Sequence, residues 1–427
     1  MMNIASFPVP KIDFSVTRLA NGLEVIFCPR SGIPLVHVTI HYRVGSSDEE
    51  PGHSGLAHLF EHMMFQGSAN VPKNGHGRLI DAAGGRWNAS TSKDRTNYHE
   101  TVPSSHLELA LWLEADRMAG LAVTEENFEN QRQTVIEEKK QVYDNQPYGK
   151  AHLLFDELAY RDWRYAHPII GYEEDLRRLT HHDAVSFHHE HYHPGNAVLV
   201  VAGDFEPDQA SKWVERYFAG IPGRDARRKK PVSNGGREDR REEQISDPLA
   251  PLPAVGLGFP APPLGSPEDD ALRLLALVLA EGDSSRLYRR FVYDKPWITG
   301  LFAGTNHCRG TQVFRVWFQV QSGASPPEVT RGILDELDRI CAERVADWEL
   351  EKARNQVTYR QVLRLERVAR IGETLAEGAS LLDRPNFANE RFERLLALDP
   401  EDLRQAAERV LNPDRSVVLF VNPGAKE

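Results

Sequence analysis

Two histidines and a glutamate stand together in His58-Leu59-Phe60-Glu61-His62. On a helix, positions i, i+3 and i+4 share one face, so His58, Glu61 and His62 project side by side. Two imidazoles one turn apart can grip a divalent metal. A carboxylate beside them can take a proton from a water that the metal activates. The order HxxEH inverts the HExxH zincin motif. The bland alternative is a helix carrying solvated surface histidines. The neighbours Gly55, Leu56, Ala57, Leu59, Phe60, Met63, Met64 and Phe65 weigh against it, because they make the segment mostly apolar. Buried His and Glu are costly unless paired or bound to a metal.

His58 and His62 leave a catalytic metal one protein ligand short, and a carboxylate is expected to complete the set. Candidates lie in the helical stretch Glu126–Tyr143, where Glu137 and Glu138 follow the apolar pair Val135-Ile136. The pattern leaves Glu137, Glu138 and Glu129 all open.

The elements that must position these groups are legible in outline. The chain has 427 residues, room for two to three domains. Its 26% charged residues are ordinary for a globular protein, and a net charge of −11 argues against a nucleic-acid surface. The longest apolar run, near Ala197–Ala202, is too short to cross a bilayer. Met1–Val16 lacks the basic start and apolar core of a signal peptide, so a cytoplasmic address is expected, or a periplasmic one after loss of a leader. Cys28, Cys308 and Cys341 are far apart and fit buried thiols in a reducing compartment.

Residues 223–247 are rich in Pro, Gly and charge of both signs and read as a polar linker. It separates an N-terminal domain (1–222) from a C-terminal one (248–427). The two halves echo each other. Thr180, His193-Pro194-Gly195-Asn196 and the strand Ala197–Ala202 return 219 residues later as Asp399, Asn412-Pro413-Asp414-Arg415 and Ser416–Val421. Such a match indicates a duplicated α/β unit. Strands are expected at Leu23–Cys28, Val36–Val44, Ala254–Phe259 and Gln312–Val320. Helices are expected at His106–Ala119, Glu126–Tyr143, Pro267–Ala280 and Pro327–Ile340. The fold class that follows is α+β: two homologous domains, each a mainly antiparallel sheet with helices packed on one face.

At this point the chain resembles the pitrilysin/insulinase family of zinc metallopeptidases, and within it the short bacterial group related to mitochondrial processing peptidase. The resemblance covers nearly the whole chain. It rests on Thr17–Leu23, Gly55–His62, Asn88-Ala89-Ser90-Thr91 with Asp94, Thr96 and Tyr98, and Asn130-Gln131-Arg132 leading to Glu138. Tyr192–Asn196, Gly203-Asp204-Phe205 and Ser284-Ser285-Arg286-Leu287 complete it. It implies that His58, His62 and Glu138 hold one zinc ion per chain and that Glu61 is the general base. It also implies that Asn88 and Ala89 belong to an edge strand that pairs with extended peptide substrate.

Two positions depart from the family pattern. Gln131 stands seven residues before Glu138, where many members carry a glutamate, and is read as an outer-shell amide orienting a ligand. Val292 and Thr299 stand where many members carry an Arg/Tyr pair that assists substrate binding. The expectation is therefore a zinc-dependent endopeptidase acting on peptides or unfolded segments inside a chamber. It would be the zinc-bearing subunit of a heterodimer, with a homologous partner lacking HxxEH supplying the Arg/Tyr pair. The other reading is a non-catalytic structural or peptide-binding subunit.

Overall fold

The computed structural model describes residues 11–225, 228–232, 236 and 238–424. Strands β1 (Ser15–Arg18), β2 (Glu24–Pro29), β3 (Leu35–Tyr42), β4 (Arg86–Thr91), β5 (Thr96–Pro103) and β6 (Ala197–Gly203) form one sheet, in the order β1-β2-β6-β3-β5-β4. Strands β7 (Arg241–Asp247), β8 (Ala254–Ala261), β9 (Ile298–Thr305), β10 (Gln312–Val320) and β11 (Val417–Pro423) form the other, in the order β7-β11-β8-β10-β9. Only the β2/β6 and β7/β11 pairs are parallel. Without β1 the first order maps strand for strand onto the second, which is the duplication read from the 219-residue echo. The echoed helices match as well. Thr180 and Asp399 each close a capping box on the helices His181–His191 and Pro400–Val410.

The expected linker differs from what is observed. Arg241–Asp247, placed in it by sequence, is strand β7, paired in parallel register with β11 from Arg241↔Val417 to Asp247↔Pro423. Its side chains are mostly exposed, so it carries no apolar alternation to read. Backbone hydrogen bonding to β11 defines it, with Ile245 packed against the Tyr148 and Phe155 cluster. Described residues ahead of β7 contact both halves. Arg228 pairs with Asp383, Lys229 with Glu50, and Val232 is buried. Arg227, of the basic run, lies outside the described residues.

The helices also depart from a one-face arrangement. One face of each sheet carries helices of its own half. The opposite face of the first sheet is covered by Val368–Leu382, from the second half, whose Ile371, Leu375, Ala376 and Ala379 pack on Ile26, Val198, Val200 and Ala202. The opposite face of the second sheet is covered by Gly149–Ala159, from the first half, whose Phe155 packs with Val313, Val417 and Leu419. The halves have exchanged equivalent helices. Both crossings need glycine. A Cβ on Gly372 would lie 2.6 Å from the His37 ring, and one on Gly256 would lie 2.8 Å from Phe155. Sequence boundaries at 222 and 248 therefore divide the chain but not the packed units.

A polar clasp sits where the first exchange occurs. Glu373 accepts from His37 Nε2 and His41 Nε2, both at 3.2 Å, and from Asn97 Nδ2 at 2.8 Å. A carboxylate only accepts, so both Nε2 atoms carry hydrogen, and Nδ1 faces the Thr101 or Ser380 hydroxyl. Burial pushes His41 and His99 down, His99 to about 4, against the opposing pull of Glu373. Burial would raise Glu373, but hydrogen bonds from His37 and His41 outweigh it and hold this carboxyl well below its usual range. All three shifts are depressions, so the unfolded chain takes up protons first and the stability they carry is lost as pH falls. The denaturation midpoint is expected to drop between about pH 6.5 and 4 as the histidines titrate, and further below as Glu373 does. Glu373→Gln is expected to cost on the order of 3 kcal/mol at pH 7, since it weakens three charge-assisted bonds. Urea denaturation across pH checks both; an unchanged midpoint in the variant would contradict the clasp.

Candidate metal centre

The HxxEH segment is a helix, Leu56–Met63. Leu56, Ala57, Leu59, Phe60 and Met63 are buried in the first-half core, which turns His58, Glu61 and His62 toward the open side. Its start is fixed from below. The fully buried Glu49 carboxylate accepts from the Gly55 and Ala57 amides at 2.9 and 2.8 Å and from His167 Nε2 at 3.0 Å. A negative charge on free N–H groups suits a helix N-terminus. The middle of the helix is held by Tyr98, whose hydroxyl donates to the Phe60 carbonyl at 2.8 Å. Tyr98 in turn lies under the Arg117 guanidinium, 4.5 Å from ring centre, and Arg117 is ion-paired with Glu114.

The second element is the helix Glu125–Lys139, which starts at the Thr124 cap and packs on the motif helix. It brings Glu138 to the histidines. His62 Nε2 lies 3.0 Å from one Glu138 oxygen, and His58 Nε2 lies 3.7 Å from the other. One donor atom from each of the three residues falls within 4.8 Å of the others. Glu137 points away and pairs with Lys140, and Glu129 pairs with Arg132. Of the three carboxylates that the helical pattern left open, Glu138 is the one that lies beside the histidines.

Protonation suits a cation. Burial, then the neighbouring His62, lower His58 to about 4 despite Glu138, so its ring is neutral at physiological pH. A hydrogen bond from His62 holds Glu138 below the usual carboxylate range, hence ionised. Two imidazoles and one carboxylate, with side chains 12%, 24% and 35% exposed, form an open three-ligand set of the catalytic zinc type. The donor chemistry fits zinc.

Glu61 lies beside this set. Burial raises its pKa, opposed by a hydrogen bond from Thr91 Oγ1 at 2.7 Å. Thr91 ends β4, the exposed edge of the first sheet, on which Asn88 and Ala89 also sit. The Asn88 side chain accepts from the Ala89 amide at 2.9 Å. Gln131 is buried on the ligand helix, but its amide donates to Asn130; among the described residues it makes no hydrogen bond to His58 or Glu138. Val292 is half-buried against the second-half core, and Thr299 is exposed on the edge strand β9. Glu49 was not singled out by sequence, and Thr91 and Tyr98 entered only among the residues that carry the family resemblance, with no role given. All three act through tertiary contacts, and their spacing from the motif carries no signal.

A second cluster of ligand-type atoms, His76, Glu100 and Glu114, is fully buried. The Arg117 guanidinium lies among them, and burial followed by Arg117 pushes His76 well below its ordinary pKa. This cluster already holds its cation and serves the scaffold.

Sequence comparison agrees with this arrangement half by half. Residues 30–171 match the description "Insulinase (Peptidase family M16)", and residues 178–357 match "Peptidase M16 inactive domain". The chain belongs to the M16, or pitrilysin/insulinase, family of peptidases and is of its short bacterial type. It is similar to the zinc protease PqqE of Helicobacter pylori, with 27% identity over 97% of this chain and 94% of the relative. It is also similar to YmxG of Bacillus subtilis, described as an uncharacterized zinc protease, with 24% identity over 95% and 97%. A crystal structure of a protease from H. pylori superposes with a TM-score of 0.92 at 25% identity, covering 97% of this chain and all of that one. No helix among the described residues is long and apolar enough to cross a membrane.

Proposed function

We propose that this chain is a zinc-dependent endopeptidase. The observation that carries the reading is the convergence of His58, His62 and Glu138 donors within 4.8 Å, with Glu61 alongside. Zinc held by these three would polarise the scissile carbonyl and acidify a water. Glu61 accepts the proton of the attacking water and delivers it to the leaving amine. Thr91 keeps its carboxylate aimed while leaving one oxygen free. The unpaired edge of β4, with Asn88 and Ala89, receives an extended peptide as an added strand, which places its backbone next to Glu61. An edge requirement selects unfolded segments over folded proteins. The intact set of His58, Glu61, His62 and Glu138 weighs against a non-catalytic subunit, which has no use for Glu61.

The active form, in this reading, is a heterodimer with a homologous chain that lacks HxxEH and brings the Arg and Tyr missing at Val292 and Thr299. An exposed apolar strip supports a partner. Trp348 and Tyr359, 55% and 63% exposed and three helical turns apart on Asp347–Leu365, continue into Val362 and Leu363. Three free thiols support a reducing, cytoplasmic setting. The test is cleavage of quenched fluorescent peptides by the chain alone and mixed with the homologous partner. Activity in the mixture only is expected; full activity of the isolated chain would overturn the heterodimer.

A further inference from the structure

The second half holds a cavity where its own metal site would be. Setting Gly67 on Gly282, two left-handed glycines that follow equivalent helices (φ +104° and +78°), aligns Arg273 with His58, Ala276 with Glu61 and Leu277 with His62. The 219-residue offset places Val357 at Glu138. Arg273, on the helix Pro267–Ala280, and Val357, on Asp347–Leu365, line one cavity, closed by Val368–Leu382 and Phe387–Ala397. It offers about 100 Å³, room for an oxyanion, and opens toward a groove with which it shares Arg360, Arg364, Thr374 and Glu377, so the carrier of the oxyanion can extend outward.

The walls are cationic. Arg273, Arg360, Arg364 and Arg391 face Glu377 as the sole acid of the lining. Arg391 is taken by Asp269 and Asp270, and Arg360 by Glu281. Glu377 faces His307 at 3.4 Å. Arg364 donates only to the neutral Gln361 side chain, at 2.8 Å. Arg273 makes no hydrogen bond or ion pair among the described residues. It is half-buried: burial, then Arg391 and Arg364, push its pKa down to about 10 against the pull of Asp269. Two half-buried guanidiniums that face one cavity, neither ion-paired among the described residues and with Glu377 as the acid nearest Arg364, suit an anion. The remaining wall, Val357, Phe392 and Leu395, is apolar.

We propose that this cavity is an anion-binding site in which Arg273 and Arg364 hold a carboxylate or phosphate oxyanion. The duplicated unit keeps a ligand pocket in both halves and inverts its charge preference: imidazoles and a carboxylate for a cation in one, guanidiniums for an anion in the other. Planar guanidiniums match the two oxygens of either group. The apolar wall suits a carboxylate carried on an aliphatic residue, such as the C-terminus of a peptide. A free inorganic anion would use the arginines alone.

Calorimetric titration of the zinc-loaded protein at low salt separates these sources. The probes are inorganic phosphate, N-acetyl-leucine and its uncharged amide. Binding of phosphate alone assigns a free oxyanion; binding of N-acetyl-leucine but not its amide assigns a peptide carboxylate. In either case Arg273→Gln and Arg364→Gln are each expected to weaken binding about tenfold or more. Arg364 also reaches the outer groove, so its variant gives a second reading should Arg273→Gln fail to fold. Absence of binding by both anions, or binding undiminished in the variants, would overturn the proposal.

Discussion

Glu61→Gln is expected to abolish peptide hydrolysis while leaving zinc in place. The amide has the shape of the carboxylate and can still accept from Thr91 Oγ1, so the motif helix should not move. What disappears is the basic oxygen that takes the proton of the attacking water. Loss of a positioned general base lowers turnover by about 100- to 10,000-fold, and here the loss is expected in kcat with KM nearly unchanged. Thermal stability should hold, because the variant removes a half-buried carboxyl whose pKa burial already raises. Steady-state kinetics beside zinc analysis by atomic absorption checks this. Unchanged turnover would remove Glu61 from the mechanism.

Glu138→Gln and His62→Ala are expected to act on the metal itself. Each alters one of the three proposed ligands, and His62 and Glu138 also hold one another at 3.0 Å. Outer-shell changes at zinc sites already cost about 10- to 100-fold in affinity, so loss of a ligand should exceed the upper end of that range. Activity should fall with occupancy and return in part when excess zinc is added to Glu138→Gln, whose amide oxygen remains a weak donor. Glu137→Gln is the control: that carboxylate is exposed and paired with Lys140. Competition titration with a chromogenic chelator measures all three. Equal zinc affinity in Glu138→Gln and Glu137→Gln would remove Glu138 from the ligand set.

The site was legible in sequence to the extent that it is local. His58, Glu61 and His62 lie within one helical turn, so their spacing alone predicts a shared face. The proposed third ligand lies on another helix, and helical pattern could not rank Glu129, Glu137 and Glu138; the family resemblance implied Glu138, and the packing of Glu125–Lys139 on the motif helix brings that carboxylate to the histidines. The contacts of Thr91, Tyr98 and Glu49 with the motif were beyond reach for the same reason, since each reaches it across the sheet or a loop. The repeat of cap, helix and strand at a constant offset announced two related halves. It did not announce that Gly149–Ala159 and Val368–Leu382 lie on each other's sheets, because an amphipathic helix does not say whose apolar face it meets. Strand β7 went unread because an exposed edge strand of Arg, Glu and Gln looks like linker until β11 is beside it.

The most direct measurement follows hydrolysis of a quenched peptide by the chain with its homologous partner through removal and return of metal. Chelation is expected to abolish cleavage, and activity to return in proportion to zinc, saturating at about one ion per HxxEH chain. Cleavage that persists in the metal-free protein, or a fully zinc-loaded pair that cleaves no peptide, would contradict it.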